Sequence, residues 1–252
     1  MAVLLLHSSL SSGRQWQVLK RQWPDFEGLS PDFFGYGTEP VMLQRPFRLE
    51  QEAAPFVSWL LQQPALSVIL VGHSYGGAVA LHLARCYPKH IKAVLLFEPV
   101  AFHLLAQQQD AEAQLLLQEV LQLSAAMPAS EPLQAAGLFV DYWQTPGYFA
   151  ALPVPVQQKM AAQVWKVAAD FEALIAEPAT LQQYQRAISC PVLLMSGKYS
   201  RRSALKITEL LHAALPQSVW IQTETGHMGP VSQPELINSE LLRFLADQAL
   251  LT

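Results

Sequence analysis

Short unbroken apolar runs recur along the chain, separated by longer stretches with helical spacing. Ala2 to Leu6, Ser67 to Val71, Ile91 to Phe97, Pro191 to Ser196 and Ser218 to Gln222 each read as a strand, and Phe26 to Pro31 reads as a shorter one. Aliphatic runs without polar alternation belong to strands buried on both faces, the pattern of a parallel sheet. Between them, Arg14 to Gln22 spaces Trp16, Leu19 and Trp23 as a helix would. Leu49 to Gln62 places Ala53, Phe56, Val57 and Leu60 on one helical stripe and is closed by Pro64. Ala78 to Tyr87, Ser203 to Ala214 and Pro234 to Ala249 complete the alternation. The expected architecture is α/β: a mainly parallel sheet of about six strands covered by helices on both faces.

From Phe102 to about Ala187 the pattern changes. Leu104 to Leu123, Leu133 to Trp143 and Val156 to Ile175 are rich in Ala, Leu and Gln, are punctuated by prolines, and enclose no strand. The expected division is a core of residues 1–101 and 188–252 with a helical insertion, 102–187, over one face of the sheet. Its aromatic residues Phe139, Tyr142, Trp143, Tyr148, Phe149 and Trp165 divide between packing and a pocket wall.

Composition narrows the function classes. Of 252 residues 51% are hydrophobic and 14% charged, and the net charge of -4 comes without a basic block, which argues against a nucleic-acid partner. No apolar run approaches the ~20 residues of a membrane span. Val3 to Leu6 is too short for a signal-peptide core. Two cysteines, Cys86 and Cys190, suggest neither a disulfide framework nor a metal site, and the histidines lack metal-ligand spacing. The expectation is a soluble, cytoplasmic protein without metal or cofactor, acting on a small molecule; oligomeric state is not legible.

The candidate chemistry centres on Gly72-His73-Ser74-Tyr75-Gly76-Gly77, which follows one strand and opens a helix. A serine at so sharp a turn stands out of the sheet, and the flanking glycines let strand and helix approach. The alternative is a glycine-rich turn holding an incidental serine. His7 to Gly13 is a loop of small residues whose backbone N–H groups are free to meet an oxyanion or simply to turn the chain. Glu98 ends a strand where open α/β sheets place ligands, and reads either as a working acid or as a helix-capping residue. Asp32 reads as a loop-fixing acceptor, while His7 and His73 read as structural; His103 either packs or approaches the site from the insertion.

Gly72 to Gly77, Gly226-His227-Met228-Gly229-Pro230 and Leu4-Leu5-Leu6-His7, in that spacing, resemble the α/β-hydrolase superfamily over nearly the whole chain. The resemblance implies Ser74 as nucleophile, His227 as base, an oxyanion hole from the backbone N–H groups of Ser9 and Tyr75, and a cap inserted after the family's sixth strand. This chain departs from the family in three places. It starts at what would be the family's third strand, hence the shorter sheet. It has His7-Ser8 for the usual His-Gly. It has Ser200 where the aspartate normally stands, with no acidic residue between Glu177 and Glu209. Some relatives carry the acid after the sixth strand instead, the position Glu98 occupies here. The implied triad is Ser74, Glu98 and His227.

The activity so implied is hydrolysis of a small to medium, largely apolar ester or thioester through an acyl-enzyme. Two alternatives stay open at this point: cleavage of a carbon–carbon bond, or a related lyase reaction, by the same residues, and a non-catalytic binding protein that kept the fold and lost the acid at position 200.

Overall fold

Successive residues of one strand feed two different cores. In the computed structural model, which describes residues 1–23, 25–37, 39 and 44–251, β1 (Ala2–Leu6) sends Leu4 and Leu6 to one face and Val3 and Leu5 to the other. The same division holds for β3 (Val68–His73), β4 (Ile91–Phe97) and β5 (Val192–Gly197), whose residues at successive positions alternate between the two clusters. A strand with period-two side chains and no polar face has to be covered twice. One cover is α1 (Gln17–Gln22) with α13 (Pro234–Asp247), through Leu19, Ile237, Leu241 and Phe244. The other includes α2 (Leu49–Leu61), α3 (Tyr75–Cys86) and α11 (Arg202–Ala214), through Phe56, Val79 and Ile207.

With the two-residue β2 (Gly28–Leu29) and with β6 (Ser218–Thr223), the strands form one parallel six-stranded sheet in the order β2-β1-β3-β4-β5-β6. The chain passes from β1 outward to β2, then back across β1 to β3, so the order reverses between β1 and β3. In open α/β sheets the crevice at such a reversal, beyond the carboxyl ends of the strands, is where ligands bind.

Seven helices among the described residues lie between β4 and β5. They are α4 (His103–Ala106), α5 (Ala111–Ala129), α6 (Pro132–Trp143), α7 (Tyr148–Ala151), α8 (Val154–Ala161), α9 (Val164–Ile175) and α10 (Leu181–Ala187). A four-residue helix, α12 (Gly229–Ser232), precedes α13.

Several element boundaries differ from expectation. The strand expected over Phe26 to Pro31 shrinks to β2, an exposed edge pair bonded to β1 alone. The single helix expected over Leu104 to Leu123 is two, because the Asp110 carboxylate accepts from the Ala113 amide at 2.9 Å and starts α5 afresh. The expected helix from Val156 to Ile175 breaks between Ala161 and Val164. The unanticipated α10 has a capping box: Thr180 Oγ1 accepts from Gln183 N at 3.2 Å, and Gln183 Oε1 accepts from Thr180 N at 2.9 Å.

A tight approach lies where α3 leaves the sheet. A Cβ on Gly76 would stand 2.3 Å from the Leu6 carbonyl oxygen and 2.5 Å from that of His7. Gly226 has nothing within 4 Å of the same position. Gly76→Ala should therefore lower the unfolding free energy by more than ~3 kcal/mol in a urea titration, against less than ~1 kcal/mol for Gly226→Ala. Equal losses would show that the close approach is relaxed at little cost.

Candidate active site

Ser74 sits between the last residue of β3 and the first of α3 with φ 56° and ψ -119°. The conformation is held from all sides. Its amide donates to Phe97 O at 3.0 Å, its carbonyl accepts from Gly77 N at 2.9 Å, and the Gly76 amide donates to His7 O at 3.1 Å. Among the described residues only six non-glycine residues have positive φ, and Leu10, Ser74 and Glu98 all lie at this end of the sheet. Backbone strain of that kind persists where the surroundings over-determine it.

The three residues of the implied triad come together. Ser74 Oγ lies 2.9 Å from His227 Nε2, and His227 Nδ1 lies 2.6 Å from Glu98 Oε2. The second carboxylate oxygen, Oε1, accepts from the Gly197 amide at 2.7 Å. With Nδ1–H donating to the carboxylate, Nε2 is left to accept the serine proton. All three side chains are buried. Ser200 has no part in this chain of bonds, and its Oγ is buried without a partner among the described residues.

A second chain of bonds ties three loops together from beneath. Gln15 Oε1 accepts from Ser8 N at 3.2 Å and from Ser8 Oγ at 3.1 Å. Gln15 Nε2 donates to His73 Nδ1 at 3.1 Å, which leaves His73 Nε2 to donate to His227 O at 2.9 Å. Thus His73 packs under the elbow, as expected, and also anchors the loop that carries His227. His7 is structural too: its Nδ1 donates to Ser8 O at 2.7 Å, and its Nε2 accepts from Phe33 N at 3.0 Å. The amides of Ser9 and Tyr75 meet no acceptor among the described residues. Asp32 Oδ1 accepts from Gly13 N at 2.7 Å, so it joins the loop after β2 to the one after β1 instead of bonding only within its own loop.

Sequence reasoning missed a buried charged cluster beside these loops. Lys166 Nζ bonds Glu52 Oε2 at 2.7 Å and also Asp170 Oδ1. Asp170 Oδ2 accepts from the hydroxyls of Ser9 and Tyr36, each at 2.6 Å, and Glu52 Oε2 accepts from Tyr75 OH at 2.8 Å. The ammonium also lies 4.7 to 5.0 Å from the ring centroids of Tyr36, Phe47 and Tyr75. Burial works to lower the Lys166 pKa, but Asp170 and Glu52 outweigh it and hold it above the usual lysine range. Burial raises Glu52 and pushes the Tyr36 and Tyr75 phenols well up, which keeps both as donors. A signal was present: Lys166 and Asp170 are four apart within an otherwise apolar stretch of α9.

The helical segment between β4 and β5 closes over the site. Trp143, at the end of α6, stacks on the His227 imidazole with centroids 3.9 Å apart and planes 23° apart. Phe139 and Trp143 wall two cavities that share Ser9: one of about 10 Å³ beside Ser74, and one of about 160 Å³ reaching Tyr148 and Met228. Tyr142 hydrogen-bonds Ser203 at 2.8 Å, and Phe149 is buried in the core, so neither lines these cavities. His103 does not approach the triad, since it bonds Leu174 O and Tyr184 OH, each at 3.3 Å. Cys190 is half-buried, and Cys86 is exposed with its sulfur 3.7 Å from His82 Nε2. No helix among the described residues is long and apolar enough to cross a membrane.

The model of the alpha/beta hydrolase family matches residues 3–240. The pimeloyl-[acyl-carrier protein] methyl ester esterase of Vibrio vulnificus is 27% identical over 252 aligned positions, 96% of this chain and 93% of that protein. Lipase LipV of Mycobacterium tuberculosis is 34% identical over 97 residues, so the match spans 38% of this chain and about a third, 36%, of that lipase. Among solved structures, the enol-lactonase of Burkholderia xenovorans LB400 superimposes with a TM-score of 0.76 at 17% identity, covering 97% of this chain and 91% of that one, a likeness of fold.

Two outcomes follow from the buried groups. Lys166→Met leaves two carboxylates facing each other without a cation, and should cost about 3 to 5 kcal/mol in a denaturant titration; a loss under ~1 kcal/mol would show the cluster to be relaxed by water. Burial depresses His7 and His103 to about 4, so the unfolded chain takes up protons between pH ~6.5 and 4 that the folded chain refuses. Their contribution is intact above pH ~6.5 and falls as pH drops through that window, by roughly 3 kcal/mol each. In urea midpoints measured from pH 7 to 4.5, His103→Gln should flatten the decline, and an unchanged slope would count against neutral burial.

Proposed function

The chain belongs to the alpha/beta hydrolase family and is an α/β-fold hydrolase, and we propose that it cleaves a largely apolar carboxylic ester or thioester through an acyl-enzyme on Ser74. The observation that carries this reading is the unbroken line of bonds from Ser74 Oγ through His227 to Glu98 and on to the Gly197 amide, at 2.9, 2.6 and 2.7 Å. Residues 102–187 are read as a cap over a core of residues 1–101 and 188–252.

A serine hydroxyl is a weak nucleophile at neutral pH and needs a base at hydrogen-bond distance. His227 Nε2 takes the proton as Oγ attacks the carbonyl carbon, and Glu98 holds the ring in the required tautomer and stabilises the imidazolium. The face of Trp143 against the ring adds a quadrupole attraction for that cation. Negative charge moves to the former carbonyl oxygen, where the Ser9 and Tyr75 amides receive it. One such donor is worth about 3 kcal/mol in the transition state. Collapse of the tetrahedral species expels the alkoxide or thiolate, which takes the proton from Nε2–H. Water, deprotonated by the same nitrogen, then attacks the acyl carbon; the bond from that carbon to Oγ breaks, Oγ takes back the proton from Nε2–H, and the carboxylic acid leaves.

Two measurements test this assignment. A short-chain fluorophosphonate should add one adduct to the wild type, read by intact mass, and none to Ser74→Ala; a folded wild type without an adduct overturns it. Glu98→Gln should lower kcat on an ester at least ~100-fold with KM little changed. A loss smaller than about tenfold would remove Glu98 from the triad.

A further inference from the structure

Resting on the serine-hydrolase reading, we propose that the enzyme is specific for esters that join a short acyl group to a bulky, uncharged, apolar alcohol. The two cavities at the site differ sharply in size. The one that Ser74 lines is about 10 Å³, close to the room of one water, and its wall includes Val100, Phe102, Val167, Phe171 and Leu174. The other is about 160 Å³, with Tyr148, Leu152, Met160, Met228 and Val231 in its wall. Apolar cavities of about 150 Å³ take up a molecule the size of benzene.

The chemistry of the step assigns the two halves of the substrate. The ester C–O bond breaks as the leaving oxygen takes the proton from His227 Nε2, so the alcohol lies on the side of the loop that carries His227. Met228 and Val231, from that loop and from α12, line the large cavity and not the small one. The large cavity therefore receives the alcohol. The acyl chain, bonded to the carbon that Ser74 attacks, is left with the small cavity against β4's exit and α9. Ser9, Phe139 and Trp143 line both cavities, and Trp143 is held in place by its stack on His227 at 3.9 Å.

Charge narrows the class further. Among the described residues, no Asp, Glu, Lys or Arg lines the large cavity. Asp170 alone does so in the small one, and its oxygens are engaged by Lys166 and by the Ser9 and Tyr36 hydroxyls. Among the described residues, neither wall offers an ion pair to a charged substrate.

Two alkyl-ester series test the proposal, since their alcohols have similar leaving tendencies. With hexanol as the fixed alcohol, kcat/KM should fall at least tenfold from the acetate to the hexanoate. With acetate as the fixed acid, it should rise at least tenfold from ethyl to hexyl. The reverse order, or equal tolerance on both sides, overturns the proposal. Leu174→Ala, or Val167→Ala should the first variant not fold, should raise the ratio of kcat/KM for hexyl hexanoate to that for hexyl acetate at least fivefold over wild type. No gain in a folded variant also overturns it. Labelling by a short-chain fluorophosphonate separates the two levels: an adduct together with the wrong chain-length profile rejects the partition alone, whereas no adduct rejects the serine-hydrolase reading on which it rests.

Discussion

The end of β1 and the first turn of α3 touch backbone to backbone, with no space for a side chain between Gly76 and the carbonyls of Leu6 and His7. Much of the site depends on that contact. It sets the height of α3 above the sheet, and with it the depth at which Ser74 stands. It brings the loop after β1 against the residue after β3, so that the amides of Ser9 and Tyr75 open near one serine. The Gly76 amide closes the contact by donating to His7 O. Because β1 and β3 are neighbours in register from Ala2 with Val68 to Leu6 with Gly72, a shift in either strand would misplace both amides together.

Glu98, the proposed acid, is placed by the next pair of strands. The sixth and seventh strands of the superfamily correspond to β4 and β5 here, and the usual acid position after β5 holds Ser200. A carboxylate reaching His227 from β4 has to cross the end of β5, and it is met there by the Gly197 amide, which donates to its free oxygen. The strand after which the superfamily ordinarily carries its acid thus supplies a hydrogen bond to the proposed one. The arrangement is anchored by Glu98 N donating to Met195 O at 3.0 Å and by the positive φ of Glu98, 45°, which turns its side chain toward the histidine loop. A buried carboxylate needs such partners, since an unpaired one would cost far more than a hydrogen bond returns.

The legible parts of the chain were those with short-range chemistry. Aliphatic runs gave the sheet, because burial on both faces removes polar alternation, and the glycines around Ser74 gave the elbow, because only glycine fits there. Ser74, Glu98 and His227 could be named because each stands at the end of a strand or in a loop, where the fold brings ends together. Helix boundaries within 102–187 were less legible. Asp110 and Thr180 are caps whose effect overrides a continuous apolar spacing, and periodicity alone does not register them. Gln15, Glu52, Lys166 and Asp170 were missed because their partners are far away in sequence: 58 residues separate Gln15 from His73, and 114 separate Glu52 from Lys166. The pair Lys166 and Asp170 on an apolar helix face carried the nearest thing to a signal, two charges where packing residues were expected.

That cluster poses an energetic question of its own. Two carboxylates and one ammonium are buried together, and an apolar set of similar volume would hold α9 against the core as firmly or more so. Apolar packing is non-directional, however, and leaves the loop after β1 free to rotate about its small residues. The Asp170 carboxylate is directional: one oxygen takes the ammonium, and the other takes the hydroxyls of Ser9 and Tyr36. Tyr75, whose amide is the partner proposed for Ser9 in the oxyanion hole, is fixed from the same cluster through Glu52. Both proposed donors therefore belong to residues whose side chains end on one lysine's counter-ions. A donor preorganised in this way needs no reorganisation as charge develops, which is the property that makes oxyanion stabilisation large. The cluster's desolvation cost is offset by three aromatic faces and three hydroxyls, and what it secures in return is the orientation of the two proposed donors rather than stability of the fold.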